Sequence, residues 1–286
     1  MSINNPSFFN QIDSEEKAYW LGFLAADGAI SRGRRLEITL SIVDLEDLMK
    51  LRDALDSDNK ISIITTRIAS SGKEYSAARF GISSAQIVRD LAKLHVVENK
   101  TRILLPPAIP EDLEKHFWRG MIDGDGCITF SVDKRWPGTQ RAYTLSLVGT
   151  QLVMSRFDDF CEKLGSSVTT KRHHRSEGLW VVRLYRDKGL NMATHLYDRA
   201  VVYLDRKMAR VREWQAYAAS HMPDRKNYVH SPETRQKISQ GLRGKPNGRT
   251  GKPSPLKGAK YIKIINAATG EIELKYIPAP KAQDGS

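Results

Sequence analysis

The chain has 286 residues, 40% hydrophobic and 27% charged, with 45 Lys and Arg against 33 Asp and Glu, a formal charge of +12 and a pI near 9.6. That length accommodates two modest domains with a real core, and the positive charge makes a polyanion, nucleic acid first, the expected partner. Two cysteines, Cys127 and Cys161, without CxxC or Cys/His spacing indicate neither a disulfide framework nor a zinc site, and no apolar run approaches the ~20 residues that span a bilayer.

Residues 1–11 read as a lead-in without the basic-then-apolar pattern of a signal peptide, so a reducing, cytoplasmic setting is expected. Asp13 or Ser14 is a suitable N-cap for a helix through Tyr19, Trp20, Phe23 and Leu24, stopped by Gly28. Gly22, Ala25 and Ala26 lie inside it, and a glycine there costs up to about 1 kcal/mol against Ala, tolerable where a second backbone must come close. Arg35–Ile42 alternates as a strand, and Asp44–Leu55 reads as an amphipathic helix capped by Asp44. Lys60–Ile68 and Tyr75–Ile82 form a hairpin across Ser70, Ser71 and Gly72, followed by a helix over Ser84–Leu94 started by Ser83 or Ser84. Pro106, Pro107 and Pro110 mark a linker.

The order then repeats. Leu113–Cys127 reads as a helix. Ile128–Val132 and Ala142–Val148 are strands around Trp136, Pro137 and Gly138. Gln151–Leu164 is a helix ended by Gly165, and Val168–His174 and Leu179–Tyr185 are a hairpin around Ser176, Glu177 and Gly178. Helices over Leu190–Tyr197 and Lys207–Ala219 close the second half. Each half therefore reads helix–strand–strand–helix–strand–strand–helix, an α+β unit with an antiparallel sheet. Beyond His221 the chain becomes basic and rich in Gly and Pro, with ten Lys and Arg against Asp224 and Glu233 up to Lys260, too polar to bury a core of its own. Ser231, Pro232 and Glu233 open one helical pattern through Ile238 and Leu242, the rest of the segment is extended, and Tyr261–Ile265 with Glu271–Ile277 suggests a terminal hairpin around Ala268, Thr269 and Gly270. The expected division is 1–105, 106–220, 221–260 and 261–286.

Two stretches, AYWLGFLAADGAI and HFWRGMIDGDGCI, share one pattern: Trp20 matches Trp118, Gly22 matches Gly120, Asp27 matches Asp125 and Gly28 matches Gly126, always 98 positions apart. If these two helices pack in parallel through their small residues, Asp27 and Asp125 emerge side by side at two helix C-termini, which are themselves negative. That arrangement opposes stability and favours a divalent cation; hard oxygen ligands suit Mg²⁺ or Mn²⁺, and such a pair facing a basic surface is what metal-assisted phosphodiester hydrolysis requires.

WLGFLAADG and WRGMIDGDG resemble the two signature motifs of the LAGLIDADG homing endonucleases, over about Ser14 to Ala219. The resemblance implies a pseudo-twofold monomer of two αββαββα units with the motif helices at their interface and two saddle-shaped antiparallel sheets for the DNA major groove. It also implies a Mg²⁺-dependent double-strand cut leaving four-base 3′ overhangs, with Asp27 and Asp125 as metal ligands. Ala25 stands where Asp123 stands in the second motif, so Asp123 is expected to be structural. The family also places a basic residue from each half near the scissile phosphates, and Lys100 and Lys207 are the candidates, 73 and 82 positions after their acids. Either could polarise the attacking water or offset transition-state charge.

Under this resemblance the DNA contacts fall on the sheets: Arg32, Arg34, Arg35, Arg67, Lys73 and Arg79 in the first half, and Lys134, Arg135, Arg141, Lys171, Arg172, His173, Arg175 and Arg183 in the second. Arg suits guanine readout and phosphate clamping, and strand alternation turns about half of these elsewhere. Ser231–Lys260 resembles the NUMOD3-type DNA-binding module, with Arg235, Lys237, Arg243, Lys245, Arg249 and Lys252 as phosphate-tracking candidates. Competing readings are an RNA maturase of the same fold assisting intron splicing, and a DNA-binding regulator with a decayed nuclease core. Both motif acids are present, which favours the nuclease.

Overall fold

The computed structural model describes residues 4–67, 72, 74–132, 141–166, 169–172, 178–221, 233, 236, 240, 260–265 and 272–277; for 130–132, 141–142, 169–172, 221, 260–265 and 272–277 it describes backbone only. The chain divides into two units, Met1–Met222 and Pro223–Ser286. In the first, α1 (Glu15–Asp27), β1 (Ala29–Ser31), β2 (Arg35–Ser41), α2 (Leu45–Ala54), β3 (Ser62–Arg67), β4 (Glu74–Ser83) and α3 (Ala85–Lys93) form one half. The other half is α4 (Glu114–Asp125), β5 (Cys127–Val132), β6 (Arg141–Thr150), α5 (Gln151–Lys163), β7 (Thr169–Arg172), β8 (Leu179–Tyr185) and α6 (Asp187–Tyr197), followed by α7 (Asp205–His221). The two sheets have the same antiparallel topology, β1-β2-β4-β3 and β5-β6-β8-β7. In the second unit, β9 (Lys260–Ile265) pairs antiparallel with β10 (Ile272–Ile277), and Glu233, Gln236 and Gln240 are helical and exposed. Among the described residues no helix is long and apolar enough to cross a membrane.

Alternation places the core. In the first sheet Leu36, Ile38 and Leu40 of β2 and Ala78, Phe80 and Ile82 of β4 point inward, and their neighbours line the open face. In the second, Ile128, Tyr143, Leu145, Leu147, Val182 and Leu184 do the same. Trp20, Phe23, Phe117 and Trp118 of the motif helices are buried under these sheets.

The expected caps hold at two helices and fail at a third. Ser14 caps α1, accepting from Lys17 N at 3.4 Å, and Ser84 caps α3, accepting from Ile87 N at 3.3 Å. Asp44 precedes α2 but makes no capping bond; its buried carboxylate instead accepts Arg206 Nε at 2.8 and 3.1 Å, a partner that local sequence cannot reveal. Thr150, the last residue of β6, caps α5 by accepting from Val153 N at 3.4 Å. The second motif helix stops at Asp125, so Cys127 opens β5 instead of closing the helix.

Neither Gly28 nor Gly126 is a left-handed cap: their φ values are −69° and −86°, with extended ψ. They are glycines because the chain turns sharply off the helix. A Cβ would lie 2.6 Å from the Leu24 carbonyl oxygen at Gly28 and 2.6 Å from that of Ile122 at Gly126. Gly72, Gly165 and Gly178 do adopt positive φ, at 66°, 71° and 83°. The turns expected at Ser70 and Ser71, at Trp136–Gly138, at Ser176 and Glu177 and at Ala268–Gly270 lie outside the described residues.

Candidate active site

The motif helices α1 and α4 touch along their backbones. A Cβ on Gly22 would lie 3.0 Å from Met121 N and press into the Phe117 carbonyl, and one on Gly120 would lie 2.7 Å from Phe23 N and press into the Tyr19 carbonyl. The reciprocity of these approaches is the pseudo-twofold axis seen at atomic scale. A Cβ on Gly124 would meet Ala26 and stand 3.3 Å from Asp27 Oδ2, so the Asp27 carboxylate lies against the end of the opposite helix. Asp27 and Asp125 thus end neighbouring helices.

Asp27 and Asp125 are both exposed at the surface, with the Asp27 carboxylate lying beside Gly124. Desolvation, followed by repulsion from Asp125, raises the Asp27 pKa from 3.8 to about 6, against the pull of Lys207, Lys100 and Arg206. Desolvation also raises Asp125, opposed by Lys100 and Lys207. Two carboxylates that would each hold a proton more tightly than usual form a site built for positive charge.

One lysine from each half flanks this pair. Lys100, in a 3-10 turn over Lys100–Arg102, donates from Nζ to the carbonyls of Ala26, at 3.1 Å, and Gly28. Lys207, in the first turn of α7, donates to the carbonyls of Ile122, Asp123 (2.7 Å) and Gly126 (2.9 Å). Each ammonium therefore sits on the C-terminus of one motif helix, satisfying carbonyls that the helix leaves unpaired and opposing its negative end. An ammonium has three donors, and Lys207 commits all three to carbonyls. In this arrangement it acts on the acids through its charge and not by donating to water or phosphate. Burial lowers both lysines, Lys207 to about 8.

A hard divalent cation fits the donor set. Two carboxylates converge, and Mg²⁺ characteristically takes one or two carboxylates and keeps waters for the rest. Among the described residues no third His, Cys, Asp or Glu joins them, and the helix-end carbonyls belong to the lysines. Water would supply the rest of such an ion's ligands.

Asp123 is not at this opening. It is buried among Tyr19, Tyr197 and Leu204, accepting from Tyr19 Oη at 2.9 Å, from Tyr197 Oη and from Leu204 N at 2.8 Å. Arg119, which replaces Leu21 of the first motif, was not singled out in the sequence. It is fully buried and donates to Glu15 Oε1 at 2.6 Å, to the Val202 and Leu196 carbonyls at 2.9 Å each, and to His116 Nδ1 at 3.0 Å. Desolvation and the Arg119 charge push His116 down to about 4, so it is neutral and can accept. A charged residue at an apolar position of a repeat was the available signal. Removing the carboxylate with Glu15→Ala leaves Arg119 without its counter-charge and should destabilise the protein by about 3 kcal/mol, read by denaturant unfolding; Glu16→Ala, an exposed neighbour, should change little.

The basic candidates are scattered by alternation. Arg35 and Arg79 stand on the open face of the first sheet around Glu37, at 2.8 and 3.4 Å, and Arg32 and Arg34 are exposed in the β1–β2 turn. Arg67, paired in register with Glu74, shares the parity of inward-facing Ala78 and so does not belong to that open face. In the second sheet Arg183 pairs with Ser146 and Thr169 on the open face. Lys171 and Arg172 pair with Val181 and Trp180, and Arg141 with Val132, but these three side chains lie outside the described residues. So do Lys73, Lys134, Arg135, His173, Arg175, Arg235, Lys237, Arg243, Lys245, Arg249 and Lys252.

A family model described as the NUMOD3 motif matches residues 227–254. No curated protein sequence matches the chain. Among solved structures, meganuclease I-SmaMI bound to uncleaveable DNA is 12% identical with a TM-score of 0.50, over 84% of this chain and 98% of that one. The LAGLIDADG homing endonuclease I-GzeII in complex with its DNA target is 11% identical with a TM-score of 0.50, over 87% and 100%. At such identity the likeness speaks to architecture, and it agrees with the helix pair and the two matching sheets: the chain has the fold of the LAGLIDADG homing endonucleases, with a NUMOD3 motif near its C-terminus.

Proposed function

We propose that the protein is a site-specific, divalent-metal-dependent double-strand DNA endonuclease acting as a monomer. The observation that carries this is the duplicated centre, in which two acids end two touching helices and each helix end is held by a lysine from its own half. A double-strand cut needs two phosphodiester bonds broken from one place, and a two-copy centre between two sheets has that form. The nucleic-acid-bound neighbours of the same fold and the net charge of +12 point the same way.

Asp27 and Asp125 would hold Mg²⁺ or Mn²⁺. Bound there, the ion would activate water and stabilise the leaving oxygen. Lys100 and Lys207 keep the acids ionised and place positive charge beside the scissile phosphates. Among the described residues, Arg35, Arg79 and Arg183 on the open sheet faces and Arg32 and Arg34 in the β1–β2 turn are the side chains best placed to meet the duplex. The NUMOD3 segment would follow phosphates outside the central site through Arg235, Lys237, Arg243, Lys245, Arg249 and Lys252.

The test is selection from a randomised double-stranded DNA library with purified protein and Mg²⁺, cut ends being captured and sequenced. The expected result is one enriched site with paired strand breaks. Recovery of bound but intact DNA would replace the nuclease reading with that of a binding protein. Deleting residues 227–254 should leave cleavage of the selected site possible but weaken binding and flatten its salt dependence, roughly one unit of slope for each phosphate the shortened protein no longer neutralises.

A further inference from the structure

The two halves of the centre are built differently, and the difference starts at Asp123. Its counterpart is Ala25, which has no carboxylate. Asp123 accepts from Leu204 N at 2.8 Å; Leu204 O accepts the backbone N–H of Lys207 at 3.0 Å; and Lys207 Nζ returns to the Asp123 carbonyl at 2.7 Å. These three bonds close a loop that fixes Lys207 to α4. Tyr19 from α1 and Tyr197 from α6 hold the carboxylate from two further directions. The neighbouring Arg206 adds a brace from the other half through buried Asp44 at 2.8 Å. Lys207 also stands in a 17-residue helix, whereas Lys100 stands in a three-residue turn entered through Asn99 at φ 56°.

We propose that Asp123 is a positioning residue for Lys207, so that the two DNA strands are cut through unequal half-sites, one of which depends on Asp123 and the other not; this rests on the nuclease reading above. A mainly structural Asp123 would behave differently. Losing it would lower the folded fraction and slow both strands by the same factor. Losing a positioning residue displaces one lysine and slows one strand.

The experiment uses the full chain and a plasmid carrying its selected site, with the two strands labelled differently and each break timed. Asp123→Ala should slow one strand by about tenfold to a hundredfold while leaving the other near its wild-type rate, so nicked circles accumulate before linear product. Lys207→Met should slow that same strand. Asp123→Asn, which keeps an acceptor for Leu204 N, should recover most of the balance. Should Asp123→Ala fail to fold, Tyr197→Phe removes one donor and only a hydroxyl, and should shift the strand ratio in the same direction. An unchanged strand ratio in these variants, with wild type cutting normally, overturns the positioning role alone. Wild type that cuts neither strand overturns the nuclease reading beneath it.

Discussion

Asp27→Asn and Asp125→Asn should each lower DNA cleavage by about a thousandfold or more, the several kcal/mol of charge stabilisation that a bound metal supplies, and should each raise thermal stability at neutral pH. The two effects share one origin. Desolvation and mutual repulsion hold Asp27 at about 6 against 3.8 unperturbed, and Asp125 is raised as well. Between these values the native state binds more protons than the unfolded state, so stability falls as pH rises through the window. For Asp27 the destabilisation is absent below about pH 4 and complete above about pH 6. An amide never ionises, so the gap in melting temperature between variant and wild type should open over that range and stay open above it. Asp90, paired with Lys93 at 2.8 Å and lowered in pKa, is the contrast: Asp90→Asn should destabilise at neutral pH. The cleavage profile should be limited on its acid side by Asp27 near pH 6, moving lower as added metal competes with the proton. It should fall again on its alkaline side as Lys207 loses its charge near pH 8. A rate still rising through pH 8 to 10 would make Lys207 a base instead of a fixed charge.

Gly22→Ala and Gly120→Ala should each destabilise the protein by about 3 kcal/mol or more, and the double variant should not fold, because native stability is only about 5–15 kcal/mol. The reason is what the new methyl group meets. At Gly22 it is the Phe117 carbonyl and Met121 N at 3.0 Å, and at Gly120 it is the Tyr19 carbonyl and Phe23 N at 2.7 Å. All of these are backbone atoms of a packed helix and cannot rotate away. The helices must separate, carrying Asp27 and Asp125 apart, so cleavage should be lost in any folded fraction. Gly33→Ala is the control. Gly33 has φ 62° and open space around it, so the change should cost only about 1 kcal/mol of backbone strain and leave the crossing intact. Thermal melts of the three single variants decide the point.

These glycines and acids were legible because the chain writes them twice. A duplicated Trp-x-Gly and a duplicated Asp-Gly survive where one copy would pass for a helix end, and they located the crossing, the paired carboxylates and the pseudo-symmetry. Local chemistry was equally readable where its partner is local: Ser14 and Ser84 cap helices three residues away. It failed where a partner is distant. Asp44 reads as a cap but pairs with Arg206, 162 positions on. Glu15 reaches Arg119, 104 positions away. Lys100 and Lys207 could be placed near the acids by the repeat, but their commitment to helix-end carbonyls depends on where two backbones end in space, which no spacing encodes. Alternation predicted that the arginines would divide between faces without telling which; the register settled Arg35, Arg79 and Arg183 toward the open faces and Arg67 away.

The central claim is that one metal-holding centre lies at the joined ends of α1 and α4. Fe²⁺ takes the place of Mg²⁺ among hard oxygen ligands and, with ascorbate and peroxide, breaks the polypeptide beside the place where it binds. Run on the protein with its DNA, this affinity cleavage should break the chain next to Gly28 and Gly126 together. Excess Mg²⁺ should suppress both breaks, and the Asp27→Asn/Asp125→Asn double variant should show neither. Breaks confined to other acidic positions such as Glu111 and Glu114, or the same two breaks persisting in the double variant, would contradict the assignment.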